Sequence, residues 1–303
     1  MIGARPRDST IHGVLLLDKS AGPTSNAALQ QVRRLYGYPK AGHTGTLDPL
    51  ATGLLPICFG EATKFAEALL GAEKRYLAAV QFGFSSSTGD AGGAIVRVAL
   101  PRFTLSDLKT AIVSLTGEIE QIPPMFSAIK LDGRPLYERA HKGETVERVP
   151  RKVVVSDMQV VDFGSGVAQL SITCSKGTYV RTLVEDLGKR LGCGAYLSGL
   201  RRTRIGSFDL DTAVTQEALE GMAKPDLLRL LRPVDALLGT FPRLELGPEA
   251  ERRIRQGQEA RTDAGLKAGL VRLYGSGGQF IGVGEYRPPE AIIPKRLVMP
   301  VGV

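Results

Sequence analysis

Residues 12–18 (HGVLLLD) form an apolar run too short for a helix and too continuous for a half-exposed strand, so they predict a buried strand. A turn follows at residues 20–23. Thr24 or Ser25 can then cap a helix in which Ala28, Leu29, Val32, Leu35 and Tyr36 recur at helical spacing, with Gln30, Arg33 and Arg34 opposite. After a polar stretch, residues 62–70 read as a helix. Residues 75–84 read as a strand with Tyr76, Ala78, Val80 and Phe82 on one face. Residues 105–115 predict a helix with Thr104 and Asp107 as its capping pair. Residues 122–131 look extended behind Pro123-Pro124, and Pro135 opens another helix. Two strands, 153–161 and 167–174, flank a Gly-rich turn. A strong helix at 178–191 precedes a further extended segment, 195–210. Strands and helices do not alternate regularly, which predicts an α+β fold whose central sheet is mixed or antiparallel and flanked by helices.

A boundary falls near residues 238–242. Beyond it come a short helix (248–256) and brief strands (270–274 and 279–286) joined by Gly275-Ser276-Gly277-Gly278. That turn is no phosphate loop, because no helix follows it and no G-K-[ST] is present. The expected division is therefore residues 1–241 and residues 242–303.

Composition narrows the class. With 303 residues and 43% hydrophobic content the chain can bury an ordinary core, and no run of 18 apolar residues signals a membrane span. The first ten residues hold Arg5 and Arg7 but no apolar segment, so they read as a basic arm, not a secretory signal. Net charge is 39 − 31 = +8, which suits a polyanionic partner, nucleic acid before membrane surface. Cys58, Cys174 and Cys193 lie far apart, as expected of unpaired thiols in a reducing cytoplasm, and the three dispersed histidines signal no metal site.

Four segments are more polar and more Gly-bounded than packing requires. The first is residues 42–53 (GHTGTLDPLATG), where Pro49 pushes Asp48 toward an extended conformation. Such a carboxylate can act as nucleophile or base, or simply close an Asx turn. The second is Lys74-Arg75-Tyr76 at a strand start; the Tyr can stack on a planar ligand or sit half-buried at the strand end. The third, residues 174–181 (CSKGTYVR), joins a strand end to a helix N-terminus, where exposed amides meet Lys176 and Arg181. Arg181 opposes the helix dipole there, which calls for a carboxylate partner unless it is an ordinary surface arginine. The fourth is residues 196–204 (YLSGLRRTR). From Lys176 to Arg204 there are seven basic residues against two acidic ones, a pattern suited to phosphate contacts with base stacking, or to a solvated charged face. Neither a carboxylate cluster for metal-dependent phosphoryl chemistry nor a G-x-S-x-G elbow accompanies these segments.

Six stretches together resemble the TruB family of bacterial tRNA pseudouridine-55 synthases: GVLLLDKSAGPTS (13–25), AGHTGTLDPLATGLLP (41–56), KRY (74–76), IPPMFSAIKLDGRPLYERA (122–140), CSKGTYVRTLVEDLG (174–188) and YLSGLRRTRIGSF (196–208). They occur in family order and spacing and cover most of residues 12–210. Ser20 and Phe126 stand where the family usually has Pro and Tyr.

The resemblance implies a pseudouridine-synthase domain with a small C-terminal PUA-like β-barrel. It implies that Asp48 is the nucleophile, that Tyr76 stacks on the target uracil and can take part in proton transfer as a catalytic residue, that Arg181 pairs with Asp48, that Tyr179 and Leu200 line the uridine pocket, and that His43 contacts the RNA near the extruded nucleotide. An Arg at that distance would lower the Asp48 pKa by about 1–3 units and keep it ionised. Lys19, Lys64, Lys130, Lys176, Arg201 and Arg202 are the further candidate RNA contacts, with residues 124–152 as an RNA-gripping insertion. The implied reaction changes no redox state and transfers no phosphate, so no cofactor or metal is expected. The implied partner is the T-arm of tRNA, with no membrane, and the enzyme is expected to act as a monomer. An RNA chaperone, the catalytic subunit of an RNA-guided pseudouridylase, and a small-substrate acid–base enzyme are the competing readings.

Overall fold

The computed structural model describes residues 11–127, 129–131, 133–262 and 265–299. The arm expected at residues 1–10 lies outside them.

The first apolar run folds as the strand Gly13–Lys19, which is buried at all but one position. It can be apolar on both faces because both faces are covered. Leu15 and Leu17 pack under the helix Ser25–Tyr36, whereas Val14 and Leu16 face Phe65, Leu69 and Leu237. Thr24 caps that helix by accepting the Ala27 amide, and Gly37 ends it in the left-handed conformation. Its face of Ala28, Leu29, Val32 and Tyr36 is buried. Each large side chain so buried contributes about 1.5–3 kcal/mol. The Tyr36 hydroxyl is satisfied by donating to the Leu227 carbonyl at 2.8 Å.

Ten strands form one mixed sheet. Its order runs Val214–Thr215, Gly13–Lys19, Thr52–Phe59, Ala195–Ile205, Lys74–Phe82, Val167–Cys174, Arg151–Gly164, Gly117–Gln121, with Ala41–His43 and Phe208–Asp209 paired to the side. Most pairs are antiparallel, but Ala195–Ile205 runs parallel to Thr52–Phe59 and Gly13–Lys19 parallel to Val214–Thr215. The face of Ala78, Val80 and Phe82 is buried beneath the helices Leu105–Val113 and Val180–Arg190. Thr104 and Asp107 form the expected capping box.

One central strand, Thr52–Phe59, has no counterpart among the expected elements; it is covered on both faces and so shows no alternation. Two expectations need correction. Residues 62–70 are a 3-10 turn, Gly60–Phe65, followed by one short helix, Ala66–Leu70. Among the described residues between 122 and 131 only Lys130–Leu131 forms a strand, in a small hairpin with Arg134–Pro135, while the strand Gly117–Gln121 before it edges the main sheet.

Residues beyond 242 build a separate five-stranded sheet. Leu244, Ile254, Leu273, Ile281 and Tyr286 make its own small core. The glycine turn at 275–278 joins Gly269–Tyr274 to Phe280–Arg287, and the Glu251 carboxylate accepts the Ser276 amide at 3.0 Å. An acidic group thus already occupies that turn. The sheet rests on the larger one through Phe280 against Phe65 (ring centroids 5.6 Å apart) and through Val283. Glu61 accepts the Met299 amide at 2.8 Å, and the Tyr274 hydroxyl donates to Asp235. Among the described residues no helix is long and apolar enough to cross a membrane.

Candidate active site

The loop that carries Asp48 leaves Ala41–His43 and returns as Thr52–Phe59, two strands paired antiparallel. Its backbone is pinned on both sides of the acid. Ser25 Oγ, in the first turn of the capped helix, accepts the Leu47 amide at 2.8 Å and donates to the Leu47 carbonyl at 2.9 Å. The Asp48 carbonyl accepts the Ala51 amide at 3.0 Å, and the Pro49 carbonyl accepts the Gly22 amide at 2.8 Å. Arg202, only 1% exposed, donates to the carbonyls of Gly45 and Leu54, both at 2.8 Å. Gly53 is required where the strand carrying Arg202 passes: its φ is +97°, and a Cβ there would stand 2.3 Å from the Arg202 carbonyl oxygen.

Arg181 comes to Asp48 from the first turn of Val180–Arg190, the helix packed on Ala78, Val80 and Phe82. Its Nε lies 3.0 Å from Asp48 Oδ2 and 3.6 Å from Asp90 Oδ2. Nη1 donates to the Thr88 carbonyl at 3.0 Å and Nη2 to the Phe126 carbonyl at 2.8 Å. A guanidinium with five donors in a rigid plane can serve four partners at once; an ammonium cannot. The expected pairing is present, but its expected electrostatic result is not. Burial raises the Asp48 pKa above the ordinary carboxylate value, and the attraction of Arg181 offsets this only in part. Asp90 accounts for some of the shortfall, because it shares the same guanidinium and repels Asp48. The Asp48 side chain still keeps 42% of its surface at the mouth of the recess, so the carboxylate can be reached.

That recess is a cavity of about 290 Å³ lined by Asp48, Arg181, Tyr76, Tyr179, Leu200, Lys74 and the turn at 175–178, among others. It lies at the small end of ligand pockets, which span roughly 300–1,000 Å³, and so suits a single nucleoside. Tyr76 and Leu200 become diagonal neighbours through the antiparallel pairing of their strands, where Leu200 is opposite Ala78 and Arg202 opposite Tyr76. Burial pushes the Tyr76 hydroxyl pKa up, with a hydrogen bond from Arg202 acting against it. Tyr179 precedes the helix and is held by Gln121, whose side chain accepts the Tyr179 amide at 2.7 Å and donates to its carbonyl at 3.1 Å.

Asp48, Tyr76, Arg181, Tyr179, Leu200, Lys176 and Arg202 therefore converge on one cavity. His43 does not line it. It ends its short strand with a buried Nδ1 that has no hydrogen-bond partner, and burial lowers its pKa.

Three expected RNA contacts have other work. Lys19 is 1% exposed, donates to the Ser20 carbonyl at 2.8 Å, and has its pKa lowered to about 8 by burial. A side chain so enclosed cannot reach a surface phosphate. Arg202 is likewise internal and ties the Asp48 loop to the sheet. Lys64 binds Glu61 at 2.5 Å and the Leu297 carbonyl at 3.0 Å, so it joins the two sheets. Arg201 pairs with Asp18 at 2.7 Å but stays 41% exposed, and Lys130 and Lys176 are exposed. Asp90 and Gln121 escaped the sequence reading, and Ser25 entered it only as a possible helix cap. A Gly-bounded STGDAGG stretch around Asp90 was the one available signal. Among the described residues no group of three or more His, Cys, Asp and Glu could hold a metal ion.

Models of known families match almost the whole length from residue 33 onward. Residues 33–180 match the N-terminal domain of TruB family pseudouridylate synthase. Residues 181–239 match the tRNA pseudouridylate synthase B C-terminal domain, and 242–298 the C-terminal region of pseudouridine synthase II TruB. The tRNA pseudouridine synthase B of Aromatoleum aromaticum is 51% identical over 96% of this chain and 94% of its own. This chain belongs to the TruB family. The tRNA pseudouridine synthase B of Ralstonia nicotianae is 50% identical over 95% of this chain and 94% of its own. Solved structures agree on the TruB fold at longer range. A Cbf5-Nop10-Gar1 complex matches with TM-score 0.73 and 24% identity, covering 99% of this chain and 92% of its counterpart. An H/ACA RNP bound to a substrate RNA containing 2′-deoxyuridine matches with TM-score 0.72 and 22% identity, over 99% and 93%.

Proposed function

We propose that this TruB-family chain is a tRNA pseudouridine synthase that isomerises uridine-55 of the T-loop, with Asp48 as nucleophile and no cofactor. One observation carries the reading. A reachable carboxylate, clamped by a buried arginine, stands at the mouth of a nucleoside-sized cavity beside a tyrosine.

The reaction breaks the N1–C1′ bond, turns the uracil and forms a C5–C1′ bond, while the proton on C5 is lost and N1 gains one. The uridine must first leave its loop, which costs a few kcal/mol. Stacking on Tyr76 returns about 1–3 kcal/mol. Asp48 attacks in its ionised form, at C6 of the base or C1′ of the sugar, and the bond it forms breaks again once C5 has joined C1′, while the cavity keeps the detached base from escaping. Tyr76, Tyr179 and Leu200 keep the base in plane for its turn, and Arg181 holds the carboxylate in one orientation throughout.

Residues 124–152 and the C-terminal sheet, with a division at 241/242, extend the RNA surface in this reading, and one chain suffices for the reaction. His43 faces RNA outside the cavity. The fold likeness to RNA-guided particles supports a second reading, a catalytic subunit that needs a guide. The roughly twofold higher identity to tRNA pseudouridine synthase B proteins favours the first.

The test is modification mapping of an unmodified tRNA transcript incubated with the purified protein and no guide RNA. A single product in the T-loop is expected. Asp48→Asn should bind the transcript with little change yet release no tritium from C5-labelled uridine; surviving release sinks the nucleophile.

A further inference from the structure

Lys74 and Tyr76 lie two residues apart on the strand Lys74–Phe82, so both side chains leave the sheet on one face about 7 Å from each other. Both line the same cavity. Lys74 is only 7% exposed. Its ammonium closes the end of Ala66–Leu70 by donating to the carbonyls of Leu70 and Ala72, at 2.7 and 2.5 Å. That uses two of its three donors. Burial, with Arg202 and Lys176 nearby, lowers its pKa to about 8, and no carboxylate is among the groups that act on it. A buried cation surrounded by cations is costly unless an anion arrives.

The cavity wall beside it supplies what an anion needs. Lys74 is paired with Cys174 in the neighbouring strand, and the chain then turns through Ser175, Lys176, Gly177 and Thr178 into the helix Val180–Arg190. All four turn residues line the cavity. Gly177 has φ +82° and open space where a Cβ would be, so a ligand can come against its backbone. Lys176 is exposed at the rim. Asp48, Arg181, Tyr76 and both lysines line this one cavity.

We propose that Lys74 and Lys176, with the turn at 175–178, clamp a phosphodiester of the extruded uridine, so that the nucleotide is held by its backbone as well as by its base. The clamp rests on the reading of the cavity as a uridine pocket. Lys74 and Lys176 are positioning residues here; neither takes part in bond exchange. The phosphate supplies the anion that Lys74 lacks.

The experiment crosses protein variants with substrate variants. Wild type, Lys176→Ala and Lys74→Met are each assayed on an unmodified tRNA transcript and on transcripts with one neutral methylphosphonate linkage, placed 5′ or 3′ of the target uridine. On the normal transcript each variant should raise KM about ten- to hundredfold, the range of a charge-assisted hydrogen bond. One of the two neutral linkages should weaken the wild type by a similar factor and leave Lys176→Ala no worse than before. Penalties that multiply for both linkages overturn the clamp. Lys176 is exposed, so its variant decides the matter even if Lys74→Met does not fold. Failure of the wild type on the normal transcript would instead overturn the uridine reading itself.

Discussion

Replacing Arg181 by Lys keeps the charge and removes the geometry, so it isolates what the guanidinium does. Arg181 meets Asp48, Asp90 and the carbonyls of Thr88 and Phe126 from one plane. A lysine that reaches Asp48 must give up both carbonyls. Hydrogen bonds from charged donors contribute about 1.5–3 kcal/mol each, so two of them amount to roughly 3–6 kcal/mol. In a recess that water can partly re-enter, the expected loss in single-turnover rate is about a hundred- to ten-thousandfold, with tRNA affinity changed far less. The pH profile gives an independent sign. In the proposed reaction Asp48 attacks as a carboxylate, and its pKa in the fold is raised by burial against the pull of Arg181. The rate should therefore fall, as pH drops, at a higher pH than an ordinary carboxylate would give. A weaker partner should move that acid limb further up. Tritium release from C5-labelled tRNA, measured under single-turnover conditions from below the ordinary carboxylate pKa up to neutral pH, reads both effects. A wild-type limb at the ordinary carboxylate pKa, or a variant whose limb does not rise, would refute the reasoning.

Gly53→Ala should destabilise the fold by about 2–4 kcal/mol, since its Cβ would overlap the Arg202 backbone at a positive φ; a urea midpoint unchanged from wild type would show that the two strands can part without cost. Glu61→Gln should loosen the C-terminal sheet. Burial by itself would raise the Glu61 pKa, but Lys64, the Met299 amide and Lys40 together bring it below the usual value. Its stabilising contribution is therefore present at neutral pH and fades as pH falls through that lowered pKa. Faster amide exchange confined to residues 291–299, both in the variant at neutral pH and in wild type under acid, is the expected result, and full protection in the variant counts against the latch.

How much of this site can be read in the chain depends on what holds each part together. The Thr24-capped helix and the Thr104–Asp107 capping box obey local rules, and both are legible because the partners are neighbours in sequence. The α+β class follows from the irregular order of elements for the same reason. Thr52–Phe59 is opaque: a strand covered on both faces shows neither alternation nor helical period, and its polar start looks like more loop. The charged residues divide along the same line. Lys19 and Arg202 carry the same charge as Lys176 and Arg201, and composition puts all four on an RNA surface. The fold places the first pair inside, where their donors serve backbone carbonyls, and the second pair outside.

The consequence reaches the chemistry itself. From sequence, Asp48 needs one partner to stay ionised, and Arg181 is that partner. In the structure Arg181 is shared. Asp90 was invisible as a participant because only the third dimension brings it to the same guanidinium, 3.6 Å away. Sharing weakens the pull by which Arg181 keeps Asp48 ionised, and burial prevails. It also fixes the guanidinium more firmly, since two carboxylates and two carbonyls leave it no alternative orientation. In the proposed reaction, a nucleophile that must attack and later release the same nucleoside gains from that arrangement. A carboxylate whose charge is only partly neutralised by its clamp is a stronger nucleophile than one locked in a tight ion pair, and a rigid clamp returns it to one position for each step.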